Sequence, residues 1–469
     1  MDSYNGTIRV RQEHYDEYLT WLYQQSNNIV PRQTSVMYYD CTNFYFEAER
    51  EDEEVIDPVT GEILKGLRQY GVSKEHRPNP IVEMGLFMDQ RGIPISMCLH
   101  PGNTSEQLTA VPLEKDIVKM LGKADFIYCS DAGLGSYNIR KFNSLGGRAF
   151  IVTQSIKKLS DVLKEAIFDG GDYKLLSNDT PVSITHMKEF DRFTEENLPL
   201  YNDFAYKILE ADHVVDLGLY EVKHYKNGTT RRVKATGLLK QRLIVTFSRK
   251  MMEYQRYVRS RQIERANSLL KNIDPETYKK GPNDVTRFIK RISRGKDGEK
   301  AADQYALDLE LIAEEEKYDG FYAVATNLDI SDKAADMRNE VKDILQISSQ
   351  RYKIEDCFRL LKTNFSSRPV YHQKKPRIIA HFMICYTALL IFRLLQKKLE
   401  LEKYHFTPGD IVETLQNMQV TDINDLFYTA TYEGSQILTA LNTIYPLSQL
   451  DRKYYQPKDL NKKFKKISG

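Results

Sequence analysis

Three acidic residues in the sequence could place carboxylates at a catalytic or metal-binding site, and the first is Asp40. It lies in the middle of SVMYYDCTNFYF (35–46), where β-branched and aromatic residues predict a strand. Both alternating sets of side chains in this run are largely apolar, which is typical of a central strand covered on both faces. A carboxylate there is costly to bury unless it is paired or bound to a metal ion.

The second acid, Asp131, directly follows the short apolar segment FIYCS (126–130), which predicts another strand. A Gly-containing turn and a helix near 136–144 are predicted to follow. In sheets that carry helices on their faces, sites form at the carboxyl ends of strands. Asp131 occupies such an end.

The third acid, Glu355, lies in residues 333–363, which contain no Pro or Gly and are predicted to be helical. At about 100° per residue, Glu355 shares one stripe of this helix with Arg351, Arg359 and Lys362. Two interpretations are open at this point. The stripe is either a set of ion pairs on a surface helix or part of a site that combines a carboxylate with cations.

Composition indicates a folded chain of ordinary character. Its 469 residues predict two to four domains, with 41% hydrophobic and 28% charged residues and a net charge of +2. The charge is uneven, because residues 240–300 hold 17 Lys and Arg against 7 Asp and Glu. A basic block of this kind can attract phosphate, although a solvated helical face has the same composition.

Cysteine usage and the apolar segments narrow the class of protein. The five cysteines are scattered without a C-x-x-C pair, which argues against a disulfide framework and a zinc ribbon and fits a reducing cytoplasm. The N-terminus shows no secretory signal. The apolar stretch 378–395 contains His381 and Arg393, so we interpret it as a buried core helix and not a membrane span.

The order of predicted elements favours an α/β fold. A hairpin of strands 81–89 and 93–99 follows the first strand, and a helix at 112–122 and a strand at 149–153 flank the Asp131 strand. Three strands followed by alternating helices and strands predict a mixed sheet with helices on its faces. The predicted divisions are an N-terminal segment 1–34, two catalytic halves 35–154 and 318–400, an insertion 155–317 and a C-terminal region 401–469.

The sequence around the three acids resembles bacterial insertion-sequence transposases of the DDE type. The run Arg351-x3-Glu355-x6-Lys362 matches most of that superfamily's Tyr-x2-Arg-x3-Glu-x6-Lys signature. The segments YYDCTNFYFE and IYCSDAG are similar to its two Asp motifs. The stretches YGVSKEHRPNPIVEMGLFMDQRGIPISMCLHPGNTSE and SSRPVYHQKKPRIIAHFMICYTALLIFRLL also resemble the family, so the similarity covers most of 35–154 and 319–395.

The resemblance implies an RNase H-like mixed sheet with flanking helices, a β-rich insertion and a helical C-terminal region. It implies that Asp40, Asp131 and Glu355 bind two Mg²⁺ or Mn²⁺ ions. Arg351 and Lys362 would contact DNA, and we group Arg359 of the same stripe with them. The implied partners are double-stranded transposon-end DNA, target DNA and a second copy of the chain in a synaptic complex, without a membrane. The implied location is the bacterial cytoplasm, at the nucleoid.

The chemistry that the resemblance implies needs this donor set. Two metal ions about 3.5–4 Å apart activate the attacking oxygen and stabilise the leaving oxygen of a phosphodiester. Close carboxylates repel one another without such ions, and hard oxygen ligands select Mg²⁺ or Mn²⁺ over zinc. Cleavage would free a 3′-OH that then attacks target DNA, without a covalent protein–DNA intermediate.

The sequence departs from the family in three places. Ser348 occupies the signature Tyr position, and the only tryptophan, Trp21, lies outside the insertion where relatives hold a flipped base with an aromatic residue. Tyr254, Tyr257 and Phe288 are candidate substitutes, although we expect buried packing for each. Only 39 residues precede Asp40, so an N-terminally short copy is an alternative.

Two other functions therefore stay open. One is a catalytically inactive or domesticated DNA-binding relative of the transposases. The other is a nuclease of the RNase H superfamily that cuts RNA–DNA hybrids or junctions.

Overall fold

The structure is a computed structural model. It describes residues 2–4, 7–9, 12–56, 63–64, 66–224, 229–270, 281, 284–292, 304–330, 334–424, 426–446, 449–459 and 462.

The described strands, in chain order, are β1 (Asp2–Tyr4), β2 (Thr7–Arg9), β3 (Val36–Tyr45), β4 (Val55–Ile56), β5 (Ile63–Leu64), β6 (Ile81–Asp89), β7 (Pro94–Pro101), β8 (Ile127–Ser130), β9 (Ala149–Thr153), β10 (Tyr173–Leu175), β11 (Pro181–Val182), β12 (Ala205–Glu210), β13 (His213–His224), β14 (Thr230–Leu238), β15 (Arg242–Phe247), β16 (Ile289–Ile292), β17 (Gln304–Leu307), β18 (Phe321–Thr326), β19 (Val420–Ile423), β20 (Phe427–Ala430) and β21 (Tyr454–Tyr455).

The described α-helices are α1 (Gln12–Ile29), α2 (Ala110–Leu121), α3 (Tyr137–Phe142), α4 (Asp161–Phe168), α5 (Ile184–Glu189), α6 (Leu198–Asn202), α7 (Arg249–Leu270), α8 (Leu309–Glu316), α9 (Ala334–Ser349), α10 (Tyr352–Arg359), α11 (Lys375–Leu401), α12 (Pro408–Asn417) and α13 (Gln436–Ile444). The fold class is confirmed as α/β, with a mixed sheet, flanking helices and a helical C-terminal region.

The chain divides into two compact units, and the first comprises residues 1–134, 145–148 and 349–469. Its sheet has the strand order β7-β6-β3-β8. The β3–β6 and β6–β7 pairs are antiparallel and the β3–β8 pair is parallel, so the predicted mixed sheet is confirmed. The predicted hairpin is also present, with its turn at Gln90–Gly92.

Strand β3 is covered on both faces, as its two apolar sets predict. On one face the ring of Tyr39 lies 4.5 Å from Phe87 between centroids, and its hydroxyl lies 2.6 Å from the Thr109 hydroxyl at the start of α2. On the other face the ring of Phe44 packs 4.9 Å from Phe382 of α11. Aromatic packing on both faces therefore fixes the strand that carries Asp40.

A buried ion pair ties the segment after α1 to the β6–β7 hairpin. The Arg32 Nε donates to Asp89 Oδ2 over 2.7 Å, and both side chains are almost fully buried. The guanidinium also donates to the carbonyl oxygens of Ile93 and Pro94, and Asp89 Oδ1 accepts from the Ile93 amide. Since every charged atom has a partner, the pair is tolerated in the core.

Helix α11 is the apolar stretch identified in the sequence. It is long and apolar enough to cross a membrane by length and composition alone, with a mean hydropathy of 2.1 over its most apolar window. More than half of that window, 56%, is buried within the protein. Phe382, Tyr386 and Leu389 lie in the core, as the interpretation of a core helix expects.

The second unit comprises residues 135–144 and 149–348. Its sheet runs in the order β11-β10-β12-β15-β18-β9 with antiparallel pairing throughout, and β13 and β14 form a separate hairpin. The predicted insertion, 155–317, lies within this unit, and its boundaries stay a prediction. In this unit, the buried Asp319 forms an ion pair with Arg259 of α7, through two hydrogen bonds.

Two parts of the fold did not follow from the sequence. Helix α1 (Gln12–Ile29) lies in what we predicted only as a short N-terminal segment. The C-terminal region also contains a small sheet, β19-β20-β21, beside its helices α12 and α13. Its strands are two to four residues long, too short to show a period in the sequence.

Replacement of Arg32 by Ala should lower the free energy of unfolding by about 3–5 kcal/mol, because it leaves Asp89 charged and buried without its partner. Chemical denaturation followed by circular dichroism measures this change. The matched control is Arg359→Ala, whose side chain is 64% exposed and pairs with Asp356 on the helix surface. That control should change stability by less than about 1 kcal/mol, and equal losses in both variants would contradict the assigned role of Arg32.

Candidate active site

Asp40 and Asp131 lie side by side at neighbouring strands of the first unit. Strands β3 and β8 are parallel, and Tyr38 lies opposite Cys129 in their ladder. The ladder ends at this pair, and Asp131 directly follows the last residue of β8. The negative charge of Asp131 contributes to the raised pKa of Asp40, which places the two carboxylates within electrostatic reach of each other.

The charge on Asp40 is opposed by its surroundings. Burial raises the pKa of Asp40 to about 7, the charge of Lys74 works against this rise, and Asp131 and Glu106 add to it. One carboxylate oxygen, Oδ1, accepts a hydrogen bond of 2.8 Å from the Cys41 amide. Asp40 is thus a partly buried acid beside a second acid, and a cation is what would stabilise its charged form.

A tight turn holds the carboxylate of Asp131. Its Oδ1 accepts from the amides of Gly133 (2.9 Å) and Leu134 (3.0 Å), immediately after β8 ends. A Cβ atom at position 133 would lie 3.3 Å from this oxygen, so glycine gives the turn its room. Asp131 itself is exposed, which leaves Oδ2 accessible to a ligand.

Glu355 does not lie in the single long helix that the sequence predicted. The helix breaks between α9 and α10, where the amides of Lys353 and Ile354 donate to carbonyls three residues earlier, those of Gln350 and Arg351. Glu355 is exposed in the first turn of α10, and this helix packs against β3. The acid therefore lies on the helix that neighbours the strand of Asp40.

The predicted stripe of Glu355 and three cations is also changed by a π-helical turn at Leu360–Asn364. In this turn the Phe365 amide donates to the Leu360 carbonyl, five residues earlier. The constant step of 100° therefore fails before Lys362 is reached. Arg359 is exposed and pairs with Asp356 over 2.7 Å, whereas the side chain of Lys362 is only 12% exposed.

Lys362 points to the Asp40 side of the sheet. Its ammonium lies 3.2 Å from Glu75 Oε1 and 5.3 Å from the ring centroid of Phe44. Burial lowers the pKa of Lys362 to about 8, and Lys74 lowers it further while Glu83 and Asp40 oppose the shift. Lys362 is thus a cation within electrostatic reach of Asp40.

Arg351 lies close to the strand that leads to Asp131. Burial raises the pKa of the Cys129 thiol to about 12, and the positive charge of Arg351 opposes that rise. The Nε atom of Arg351 is buried and has no hydrogen-bond partner among the described residues. A phosphate would accept from the other N–H groups of this guanidinium, because Nε is shielded from solvent.

Sequence reasoning assigned no role to three charged residues around Asp40. Lys74 pairs with Glu106 over 2.6 Å, and both lie in the segment that resembles the transposases. Glu83 is buried in β6; its Oε1 accepts from Asn43 over 3.2 Å, and Oε2 has no partner among the described residues. An acid within the otherwise apolar run IVEMGLFM was a signal that could have identified Glu83.

The donor set fits a hard divalent cation only in part. Asp40, Asp131 and the nearby acids supply oxygen ligands of the kind that Mg²⁺ and Mn²⁺ prefer. In the part of the chain that the structure describes, however, no three His, Cys, Asp or Glu side chains are placed to hold one ion together. The structure thus joins Asp40 with Asp131, and the participation of Glu355 stays a prediction.

Several cations of the basic block at 240–300 are already neutralised by acids of the same unit, which the composition did not indicate. Arg249, Arg259, Arg261 and Arg287 form ion pairs within the second unit. Phe288 is fully buried, as expected, but buried packing was the wrong expectation for two other aromatic residues of the block. Tyr254 and Tyr257 are 63% and 64% exposed on α7, one turn apart.

Replacement of Asp40 by Asn should stabilise the metal-free protein at high pH. Below the ordinary value of 3.8 the acid is protonated in both states, and between 3.8 and about 7 only the unfolded state releases the proton. Wild-type stability therefore falls as the pH rises through this window, and Asn avoids a loss of up to about 4 kcal/mol.

Unfolding in EDTA at pH 4 and pH 8.5 measures this difference. Asp116→Asn, at an exposed acid of α2, is the matched control. An Asp40→Asn variant with the same advantage at both pH values would contradict the burial of charge at position 40.

No protein-family model and no curated protein matches the chain. The piggyBac transposase, in a synaptic complex with hairpin DNA, is 9% identical with a TM-score of 0.35 over 84% of this chain and 54% of its own.

The Mos1 transposase, in a paired-end complex with the left transposon end, is 12% identical with a TM-score of 0.16 over 31% of this chain and 43% of its own. The Mos1 mariner transposase in a paired-end complex with Mn is 11% identical, with a TM-score of 0.17 over 32% of this chain and 46% of its own. The chain spans about half the length of these transposases. At these values the likeness carries no assignment of activity.

Proposed function

We propose that the chain is a DDE-type DNA transposase of an insertion sequence, which cuts transposon ends and joins them to target DNA. The observation that carries the proposal is that Asp40 in β3 and Asp131, directly after the parallel strand β8, lie within electrostatic reach of each other. The motifs around these acids and Glu355, which resemble insertion-sequence transposases, support the same function.

Asp40, Asp131 and Glu355 would hold two Mg²⁺ or Mn²⁺ ions. Such ions polarise the scissile phosphate and activate the attacking oxygen. Asp40 must be ionised to hold a cation, and its pKa of about 7 means that the cation itself drives the loss of the proton. Glu355 would join the pair from α10, which packs against β3.

Three basic side chains, those of Lys362, Arg351 and Arg359, would position the DNA backbone. Lys362 is still mostly charged at neutral pH, since its pKa lies at about 8, and its position near Asp40 suits a contact to the scissile phosphate. Arg351 would donate to a phosphate through the N–H groups other than its buried Nε, and Arg359 is exposed one turn beyond Glu355. In the second unit, Tyr254 and Tyr257 offer exposed aromatic faces for base stacking.

In the proposed reaction, a water oxygen attacks the phosphorus and the bond to the 3′ oxygen breaks, which leaves a 3′-OH and a 5′-phosphate. The freed 3′-OH then attacks a phosphorus of the target strand in the same site, the bond from that phosphorus to the target's 3′ oxygen breaks, and that oxygen leaves as a new 3′-OH. Both partners are double-stranded DNA, and a second copy of the chain would hold the other transposon end. We propose a bacterial cytoplasmic location at the nucleoid.

Cleavage of a supercoiled plasmid that carries the DNA flanking this reading frame tests the proposal. With Mg²⁺, the wild-type chain should nick the plasmid at the frame's borders, and Asp131→Asn should reduce the rate by more than about a hundredfold because a ligand is lost. Asp116→Asn, an exposed acid on α2, should cleave normally.

Two outcomes would favour other functions. Binding of the flanking DNA without Mg²⁺-dependent nicking would indicate an inactive or domesticated relative. Cleavage of RNA–DNA hybrids with no preference for the flanking DNA would indicate an RNase H-type nuclease.

A further inference from the structure

The ammonium of Lys74 occupies an oxygen-lined position beside Asp40. Its Nζ donates to the Cys41 carbonyl over 2.6 Å and lies 2.6 Å from Glu106 Oε1. The Lys74 amide donates to Asn43 Oδ1 over 3.2 Å, which fixes the backbone of this residue against β3. The carbonyl oxygen of Cys41, the residue after Asp40 in the sequence, and a carboxylate oxygen of Glu106 therefore hold the positive charge of Lys74.

The acids around Lys74 carry more negative charge than its single ion pair neutralises. Asp40 and Glu83 both interact with the charge of Lys74, in addition to its ion pair with Glu106. The Oε2 atom of Glu83, on a side chain in the core, has no hydrogen-bond partner among the described residues. A buried acid oxygen without a partner indicates that this cluster can accept more positive charge.

The two lysines near Asp40 differ in how firmly they are held. The side chain of Lys362 is 12% exposed and rests on Phe44, whereas that of Lys74 is 40% exposed and its partner Glu106 is 32% exposed. Lys74 can therefore swing into solvent without opening the core. Lys362 cannot leave without exposing its buried surroundings.

We propose that Lys74 is an internal counter-ion of the candidate active site. Its ammonium neutralises Asp40 and Glu106 in the absence of a divalent cation, and it competes with such a cation for their negative charge. The inference rests on the proposed function, because the cation is the one that Asp40 and Asp131 would hold. Two positive charges near the same carboxylates repel each other, so binding of the divalent ion displaces the ammonium. Lys74 is then a positioning residue that sets the affinity for the ion.

Titration of the full chain with Mn²⁺ tests this, with free Mn²⁺ measured by electron paramagnetic resonance in the absence of DNA. Lys74→Gln should bind Mn²⁺ about tenfold more tightly than wild type, since a competing unit charge is removed. Lys74→Arg keeps the charge and should bind like wild type. Lys397→Gln, which removes the charge of an i,i+3 ion pair on α11, is the control for net charge.

The variants also separate this inference from the proposed function. Loss of Mn²⁺ binding in Asp131→Asn places the ion at the candidate site, and unchanged binding in that variant overturns the proposed site. If wild type binds Mn²⁺ there and Lys74→Gln binds equally or more weakly, the counter-ion role is wrong while the site stands. If neither wild type nor Lys74→Gln binds Mn²⁺, both proposals fail. Melting curves confirm that each variant is folded.

Discussion

The negative charge of Asp40, held in a strand with apolar packing on both faces, is the constraint on which the candidate site depends. Burial raises the pKa of Asp40 to about 7, so its charged form is disfavoured relative to that of a free carboxylate and a nearby cation stabilises it. Lys74 and Lys362 both lie within reach of that charge. A structural acid would be held by a closed ion pair, as Asp89 is by Arg32, whereas in the described part of the chain Asp40 forms no ion pair with either lysine.

The scaffold around Asp40 explains how a second acid comes to lie beside it. Parallel pairing of β3 with β8 brings Asp131, directly after β8, within electrostatic reach of Asp40, and the turn after β8 holds the Asp131 carboxylate through two backbone amides. The β6–β7 hairpin on the other side of β3 is locked by the buried Arg32–Asp89 pair. Strand pairing and packing thus fix the two aspartates, while Glu355 depends on the position of a helix.

The sequence predicted the parts of the structure that obey a local period. The strand around Asp40, the hairpin after it and the strand before Asp131 lie where alternation and turn residues placed them. The break before α10 and the π turn at Leu360–Asn364 have no signal in the local sequence, which contains neither Pro nor Gly. Tertiary packing overrides the helix propensity of these residues.

The ion pair of Lys74 with Glu106 joins residues 32 positions apart, and only the folded backbone brings them together. Patterns in the sequence predict single helices and strands, but they do not predict contacts between distant residues. For the same reason they placed Glu355 and Lys362 on one stripe, which the π turn does not preserve. The sequence could thus name candidate acids, which stay a prediction as a site, but it could not name the cations that surround Asp40.

Anomalous diffraction from crystals soaked in Mn²⁺ would show whether Asp40 and Asp131 bind one divalent cation together. We expect a peak between the two carboxylates, with ligand distances of about 2.1 Å and Lys74 turned away from Cys41. A structure in which Mn²⁺ binds elsewhere, while the carboxylates of Asp40 and Asp131 point apart, would contradict it.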